Sequence, residues 1–471
     1  MATKPVVRAR RATPNRNGNG KPPSKEAASI TQGALDAFQR SFESDPKNRL
    51  ALNAVTKTAV ASVASNRRAV IEANHVFSHT IKVGQITSQN RSGRCWMFAG
   101  LNPMRVAAIK AMNTDDKFEI SQNYTMFWDK LEKSNYFLES IIKTVKEPIG
   151  SRLLDHLLAS PIQDGGQWDM FVNLIRKYGV VPKSAMPESD SSSNTGTMNS
   201  AITRKLREYA SKLRKSSAKG VGADAVRREK RRMLEEVYRM LAIHLGEPPK
   251  EFYWQWRDKD GEFHRDGMIT PQAFFTRHVN DDIDAKICLI HCPQSGKSMN
   301  TLYTIEYLGN VVEGEIIKYL NVDLKVIKKA AIEMISAGES VWFGCDVGKM
   351  LDRDLGVLDM DLFDYETLYG TKFGLDKASR LDYGDSQMTH AMVFAGVDMD
   401  ERGKPTKWRV ENSWGDKGEG NGFLTMTDDW FDQFVYEVAV DRKYLPQELL
   451  PILKNKPVAL PPWDPMGALA L

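Results

Sequence analysis

Cys95, His390 and Asn412 are residue types that together perform nucleophilic acyl transfer, and each stands where an element is expected to begin or end. Cys95 closes the polar run QITSQNRSGR and opens the apolar run CWMFAGLNPMRVAAIKAM. The pattern predicts a loop that delivers the Cys to the first turn of a buried helix. A helix N-terminus carries partial positive charge, which favours thiolate, the attacking form, over thiol. On position alone a buried structural Cys is the default, so a proton-exchanging partner must decide the reading. Of eight histidines, His390 lies in QMTHAMVFAGV at the entrance of an apolar strand, and 22 residues later Asn412 lies in WRVENSWGDKGEGNGF. In the logic of a catalytic triad, His390 forms an ion pair with Cys95 and the Asn412 side-chain oxygen fixes the imidazole tautomer. Trp414 is expected to cover that hydrogen bond.

The elements that must position these residues are legible in outline. Composition is that of an ordinary globular chain, with 42% hydrophobic and 27% charged residues in 471. Residues 28 to 80 look helical, with Leu35, Phe38 and Phe42 on one face, and helices continue past Cys95, where Pro103 is expected to kink or split the run. From about residue 285 the texture becomes short, β-rich and turn-punctuated: KICLIHC, SVWFGCDV, HAMVFAGV, KWRVEN and NGFLTM. Helices first and strands later indicate an α+β fold. The net charge of +5 comes from a tail: residues 1 to 25 hold seven basic residues and no acid, leaving 58 basic against 60 acidic residues in the body. Pro, Gly and Asn in residues 1–27 predict a disordered basic tail. Apolar runs such as Ala391 to Val397 are too short to span a bilayer, so no membrane association is expected. Four cysteines in 471 residues exclude a disulfide-stapled secreted scaffold and fit a reducing compartment, so the cytoplasm is expected.

Other chemistry-bearing patterns read as structural. His75 and His79 have metal-ligand spacing without a third ligand and read as one face of a helix. Cys288 and Cys292 in CLIHC, and Cys345, sit in apolar strands and read as core. Gly296-Lys297-Ser298 suggests a phosphate loop, but that pattern needs Gly where His291 stands. No metal or organic cofactor is expected.

The residues around Cys95, His390 and Asn412-Ser413-Trp414-Gly415 resemble the papain-like cysteine peptidases, whose local pattern is C-G-[SA]-C-[WY] with His and Asn about 130–150 residues downstream. Here the pattern reads Ser92-Gly93-Arg94-Cys95-Trp96. The resemblance implies a helical domain with the Cys and a β-barrel-like domain with the His and Asn. It makes Gln89 the side-chain donor of the oxyanion hole, with the Cys95 N–H as the other. It also makes Gly165 and Gly166, in DGGQWDM, a substrate-binding segment. Two departures are informative. The positions of the usual disulfide hold Ser92 and Gln163, which fits an intracellular branch, and the Cys-to-His distance is 295 residues, about twice the usual spacing. Both match the bleomycin hydrolase and aminopeptidase C branch, as do WQWRDKDGEF, SVWFGCDVGK, MTHAM, WRVENSWG and the terminal PPWDPMGALAL.

That branch implies a helical half over 28–200, a helical insertion over 201–284 with an oligomerisation or basic face, a β-rich half over 285–458, and a C-terminal arm over 459–471 lying in the active-site cleft. The terminal carboxylate, on Leu471, would pair with a substrate's free ammonium. Peptides and aminoacyl amides with a free N-terminus are then the expected partners of a cytosolic cysteine aminopeptidase, assembled as a homohexamer. The branch also implies weak DNA or RNA binding. The candidate contacts are Arg204, Lys205, Arg207, Lys212, Arg214, Lys215, Arg227, Arg228, Lys230, Arg231 and Arg232. A nucleic-acid-binding hexameric assembly with incidental peptidase activity is the rival reading, and a solvated helical face is the bland one.

Overall fold

A computed structural model describes residues 28–470 of the chain, so the basic tail (1–27) and Leu471 lie outside the described residues. Two compact units emerge, residues 28–65 with 364–372, and residues 66–363 with 373–470. In the small unit, helix Gln32–Ser44 starts at Thr31, whose hydroxyl accepts the Ala34 N–H, and Asp45 separates it from helix Pro46–Val55 by capping the Lys47 N–H. Gln32–Ser44 buries none of its residues and leaves Leu35, Phe38 and Phe42 exposed.

In the large unit, helices Cys95–Met112, Gln122–Lys143 and Trp168–Tyr178 pack on one another and face a twelve-stranded sheet. Its central run is Lys286–Ile290, Val435–Asp441, Val341–Cys345, His390–Met399, Pro405–Glu411 and Phe423–Thr427, each antiparallel to the next. Alternation along His390–Met399 sorts two cores, as a period of two requires. Ala391 and Val393 join Cys95, Trp96 and Phe171 in one, while Met392 and Phe394 join Phe343, Trp408 and Phe431 in the other. The strand's stretch from Ala391 to Val397 is apolar throughout because both faces are covered.

Helix Cys95–Met112 runs unbroken through Pro103, which therefore does not split it. Proline inside a helix costs about 3 kcal/mol. Burying Trp96, Met97, Phe98 and Leu101, at about 1.5–3 kcal/mol each, outweighs that. His75 and His79 are not on a helix face: helix Arg67–Glu72 ends before them, His75 Nδ1 meets Thr425 Oγ1 at 2.7 Å, and His79 pairs in a short strand with Val397.

The stretch between the halves holds helices Gly196–Ala218 and Ala223–Leu245, then a hairpin of Phe252–Arg257 and Phe263–Ile269. Met198, Ile202, Leu206, Tyr209 and Leu213 recur at helical spacing and are buried, which docks the first helix on Gln122–Lys143.

Candidate active site

Cys95 is the first residue of its helix and is buried. Burial pushes its thiol up to about 11, opposed by the backbone N–H groups of Ala391, Trp96 and Cys95 itself. The Ala391 N–H is informative, because it brings the residue after His390 to the sulfur. His390 begins strand His390–Met399, opposite Cys345. Its Nε2 lies 2.9 Å from Asn412 Oδ1, which also accepts the Ser413 N–H at 2.8 Å. An amide oxygen only accepts, so Nε2 carries the proton and Nδ1 keeps its lone pair in the neutral ring. The Trp414 ring lies 4.8 Å from the imidazole, with the Arg353 guanidinium 4.4 Å over its face. Burial pulls His390 down to about 4, with Asn412 opposing and Arg353 assisting. Both burial effects oppose the charged form of each group, so an ion pair here must hold by its own attraction.

Gln89 is clamped from both ends of its carboxamide. Nε2 donates to the Ser92 carbonyl at 2.6 Å, and Oε1 accepts from Ser413 Oγ at 2.7 Å. The backbone pairs as well: Gln89 N–H to Ser413 O, and Gly415 N–H to Thr87 O. The loop before Cys95 is thus locked to the segment after Asn412, and one Nε2 hydrogen remains to be offered.

Asp164 is a site residue whose importance the sequence reading missed. Its carboxylate accepts the Gly93 N–H at 2.9 Å, Asn199 Nδ2 at 2.7 Å, Thr195 Oγ1 and Lys130 Nζ, and its carbonyl accepts Trp96 Nε1 at 2.6 Å. Although burial opposes it, Lys130, Thr195 and the Gly93 N–H hold the carboxyl well below the usual carboxylate range. Gly93 and Asp164 each adjoin a position, Ser92 and Gln163, where the resemblance expects a disulfide half. A polar hub therefore joins the two segments that a covalent bridge would join. The DGG motif contained the residue, but its partners at 130, 195 and 199 leave no local signal. Asp164→Ala strands Lys130, whose side chain has no exposure, as a buried unpaired charge. Such a loss costs about 3–5 kcal/mol, so differential scanning calorimetry is expected to show Tm falling by several degrees. Turnover should fall too, because the Cys95 loop loses its tie, and unchanged turnover would make the hub purely structural.

The two glycines after Asp164 have different reasons to lack a side chain. A Cβ on Gly165 would lie 2.4 Å from the Leu469 carbonyl oxygen, and one on Gly166 would lie 2.4 Å from the Trp96 ring. The residues 465–470 thus run along Gly165. The Leu469 side chain comes within 3.4 Å of the Cβ position of Gly344, which Met388 Sδ approaches at 3.0 Å. Gly344 pairs with Ala391, so Leu469 and Ala470, both buried, stand beside the Cys95 and His390 segments.

The basic cluster is largely engaged within the protein. Arg207 donates to the Leu158 and Ala159 carbonyls, and Arg214 to those of Thr144 and Glu147. Lys205 and Lys212 share Glu208, and Lys230 and Arg227 share Glu139. Arg204, Lys215, Arg228, Arg231 and Arg232 complete it along the same two helices. Cys288, Cys292 and Cys345 are buried and unbridged. Among the described residues, no helix is long and apolar enough to cross a membrane.

Comparison with known proteins matches this arrangement. The Peptidase C1-like family matches residues 29–467. The chain is 45% identical over 442 residues to Aminopeptidase C of Listeria monocytogenes, and 44% over 453 residues to Bleomycin hydrolase of Homo sapiens, in each case covering 94% of this chain and 99% of the relative. The crystal structure of PepW from Lactobacillus rhamnosis superposes with a TM-score of 0.92 at 47% identity, over 94% of this chain and 99% of that one. The chain belongs to the Peptidase C1-like family, with the papain-like cysteine peptidase fold, in the branch that holds aminopeptidase C and bleomycin hydrolase. It is a cysteine-type aminopeptidase.

Proposed function

We propose that Cys95, His390, Asn412 and Gln89 carry out the hydrolysis, and that the C-terminal arm restricts it to substrates with a free N-terminus. The carrying observation is the placement of Leu469 on Gly165 and Gly344, beside the Cys95 and His390 segments. The thiol proton passes from Cys95 Sγ to His390 Nδ1, and Sγ attacks the carbonyl carbon. The oxyanion takes hydrogen bonds from the second Nε2 hydrogen of Gln89 and the Cys95 N–H. The imidazolium returns its proton to the leaving amine as the C–N bond breaks, leaving a thioester. Neutral His390 then deprotonates water, which attacks the thioester and releases the acid and the thiol. Asn412 holds the ring so that Nδ1 faces the sulfur in each step.

The arm fills the non-primed side of the cleft and leaves room for one residue before the cleaved bond. Acylated and internal segments are excluded, and an ammonium is accepted at the carboxylate end of the arm. Aminoacyl amides, bleomycin among them, fit this description as well as peptides do. A cytoplasmic setting is supported by the four unbridged cysteines. Self-association, as in the proposed hexamer, is supported by the exposed Leu35, Phe38 and Phe42 of the first helix.

The test compares an aminoacyl fluorogenic amide bearing a free amine with its N-acetylated twin. The free amine is expected to be cleaved at least about a hundredfold faster by kcat/KM, the discrimination that lost charge pairing and a blocked subsite together supply. Equal rates would mean an open, endopeptidase-like cleft.

A further inference from the structure

The arm enters the cleft through a short rigid turn with one charged fixing point. Trp463 lies under the Arg152 guanidinium, 3.9 Å from the ring centroid, with His156 at its edge. Asp464 follows. Its Oδ1 accepts Lys297 Nζ at 2.6 Å and the Met466 N–H at 3.0 Å, and its carbonyl accepts the Gly467 N–H at 3.0 Å. Asp464 therefore both starts the 3-10 turn Pro465–Ala470 and makes its ion pair. At about 2 Å of rise per residue, the five residues from Asp464 to Leu469 form a strut of about 10 Å. Where Asp464 is pinned decides where Leu469 sits. Gly467 packs closely as well, since a Cβ there would lie 2.8 Å from Leu308 Cδ2.

Lys297 is the residue of the Gly296-Lys297-Ser298 motif that has no phosphate loop to serve. Its Nζ is held by Gln294 Oε1 at 2.6 Å and lies 3.5 Å from Cys292 Sγ, while Gln294 Nε2 donates to Asp382. The side chains of Lys297 and Asp464 are 8% and 11% exposed, so the pair is largely out of water. Strand Val458–Leu460 anchors the start of the arm by pairing with Thr301–Ile305, but beyond Leu460 the other fixing points are ring and apolar contacts, which favour burial without fixing register along the chain. A buried pair adds little over an apolar replacement of both partners, but removing one partner strands a charge. For a terminal arm the available relief is to swing out and hydrate.

Building on the reading that the arm limits the cleft, we propose that the Lys297–Asp464 pair is the latch that fixes the arm's register, and so a determinant of the selection for a free N-terminus. Lys297 and Asp464 are positioning residues, and neither touches the reacting atoms. Lys297→Met and Asp464→Asn are expected to raise the ratio of kcat/KM for an N-acetylated amide to that for the free-amine amide by roughly tenfold or more, as an uncompensated buried charge drives the arm outward. The kcat for the free-amine amide should stay within about twofold, since the nucleophile, imidazole and oxyanion donors are untouched. Lys297→Arg, which keeps the charge pair and leaves Asp464 Oδ1 to accept the Met466 N–H, should hold the ratio near wild type, which a merely steric disturbance of the site would not do. A chain truncated after Trp463 supplies the reference. If truncation raises the ratio and neither single variant does, the latch is wrong and the arm is held by its other contacts. If truncation itself leaves the ratio unchanged, the arm does not limit the cleft, and that reading and the latch fall together. If one of the two charge-removing variants does not fold, Lys297→Arg and the other variant decide.

Discussion

Cys95→Ala is expected to lower hydrolysis of a free-amine aminoacyl amide by on the order of 10⁵- to 10⁶-fold, the effect of removing a covalent nucleophile whose partners act as a unit. The loss should be one of chemistry and not of folding. Cys95 is buried at a helix start where an alanine fits without strain, so Tm should change little. None of the other three thiols can take over. Cys345 lies in the second core with Phe343 and Phe394, Cys288 is buried against Glu437, and Cys292 is held beside Gln294 and Lys297. Non-additivity is the second part of the result. His390→Ala should cost nearly as much alone, and the double variant should be little worse than either. Burst kinetics with an activated ester would complete the picture, with acyl-enzyme accumulating in the parent and not in Cys95→Ala. Retention of more than about a hundredth of parental turnover by Cys95→Ala would place the nucleophile elsewhere.

What the sequence made legible follows from how local each signal is. The strands from KICLIHC to NGFLTM, the loop-to-helix delivery of Cys95 and the His390-Asn412 spacing are patterns within a few residues, and each appears where expected. Of the two outcomes expected at Pro103, the split does not occur, because a helix buried on most of its faces offsets the lost backbone hydrogen bond that a propensity argument counts. His75 and His79 misled in the other direction: four-residue spacing fits a helix face, but their partners, Thr425 and Val397, are more than 300 residues away. Asp164 reads in the sequence only as the neighbour of two glycines, since its role depends on Lys130 from helix Gln122–Lys143 and on Thr195 and Asn199 at the start of helix Gly196–Ala218. The ionisation state at rest was equally out of reach. Sequence places a thiol at a helix N-terminus, which lowers its pKa, while the burial that opposes this belongs to the assembled cleft.

Removing the arm is expected to change the chemistry of Cys95 as well as access to it. Truncation after Trp463 takes Leu469 and Ala470 off Gly165 and Gly344 and readmits water beside the sulfur. With burial relieved, the thiol moves from about 11 toward its ordinary 9.0, and His390 rises from about 4 toward 6.5. Near neutral pH the thiolate fraction grows about tenfold per unit of fall, so about a hundredfold in all. Intrinsic nucleophilicity falls with pKa at roughly half that rate, which leaves a net gain of about tenfold before access is counted. Alkylation by iodoacetamide at pH 7 should therefore quicken by at least that factor. The sign of the pH dependence follows: in the parent, alkylation keeps climbing with pH toward 11, while in the truncated chain it levels off at lower pH because the thiolate is already formed. The N-acetylated amide, nearly inert with the parent, should become a substrate of the same truncated chain. Unchanged alkylation together with unchanged exclusion of the acetylated substrate would mean that the burial of Cys95 arises from the meeting of helix and sheet alone, and that Leu469 merely rests on a site already closed.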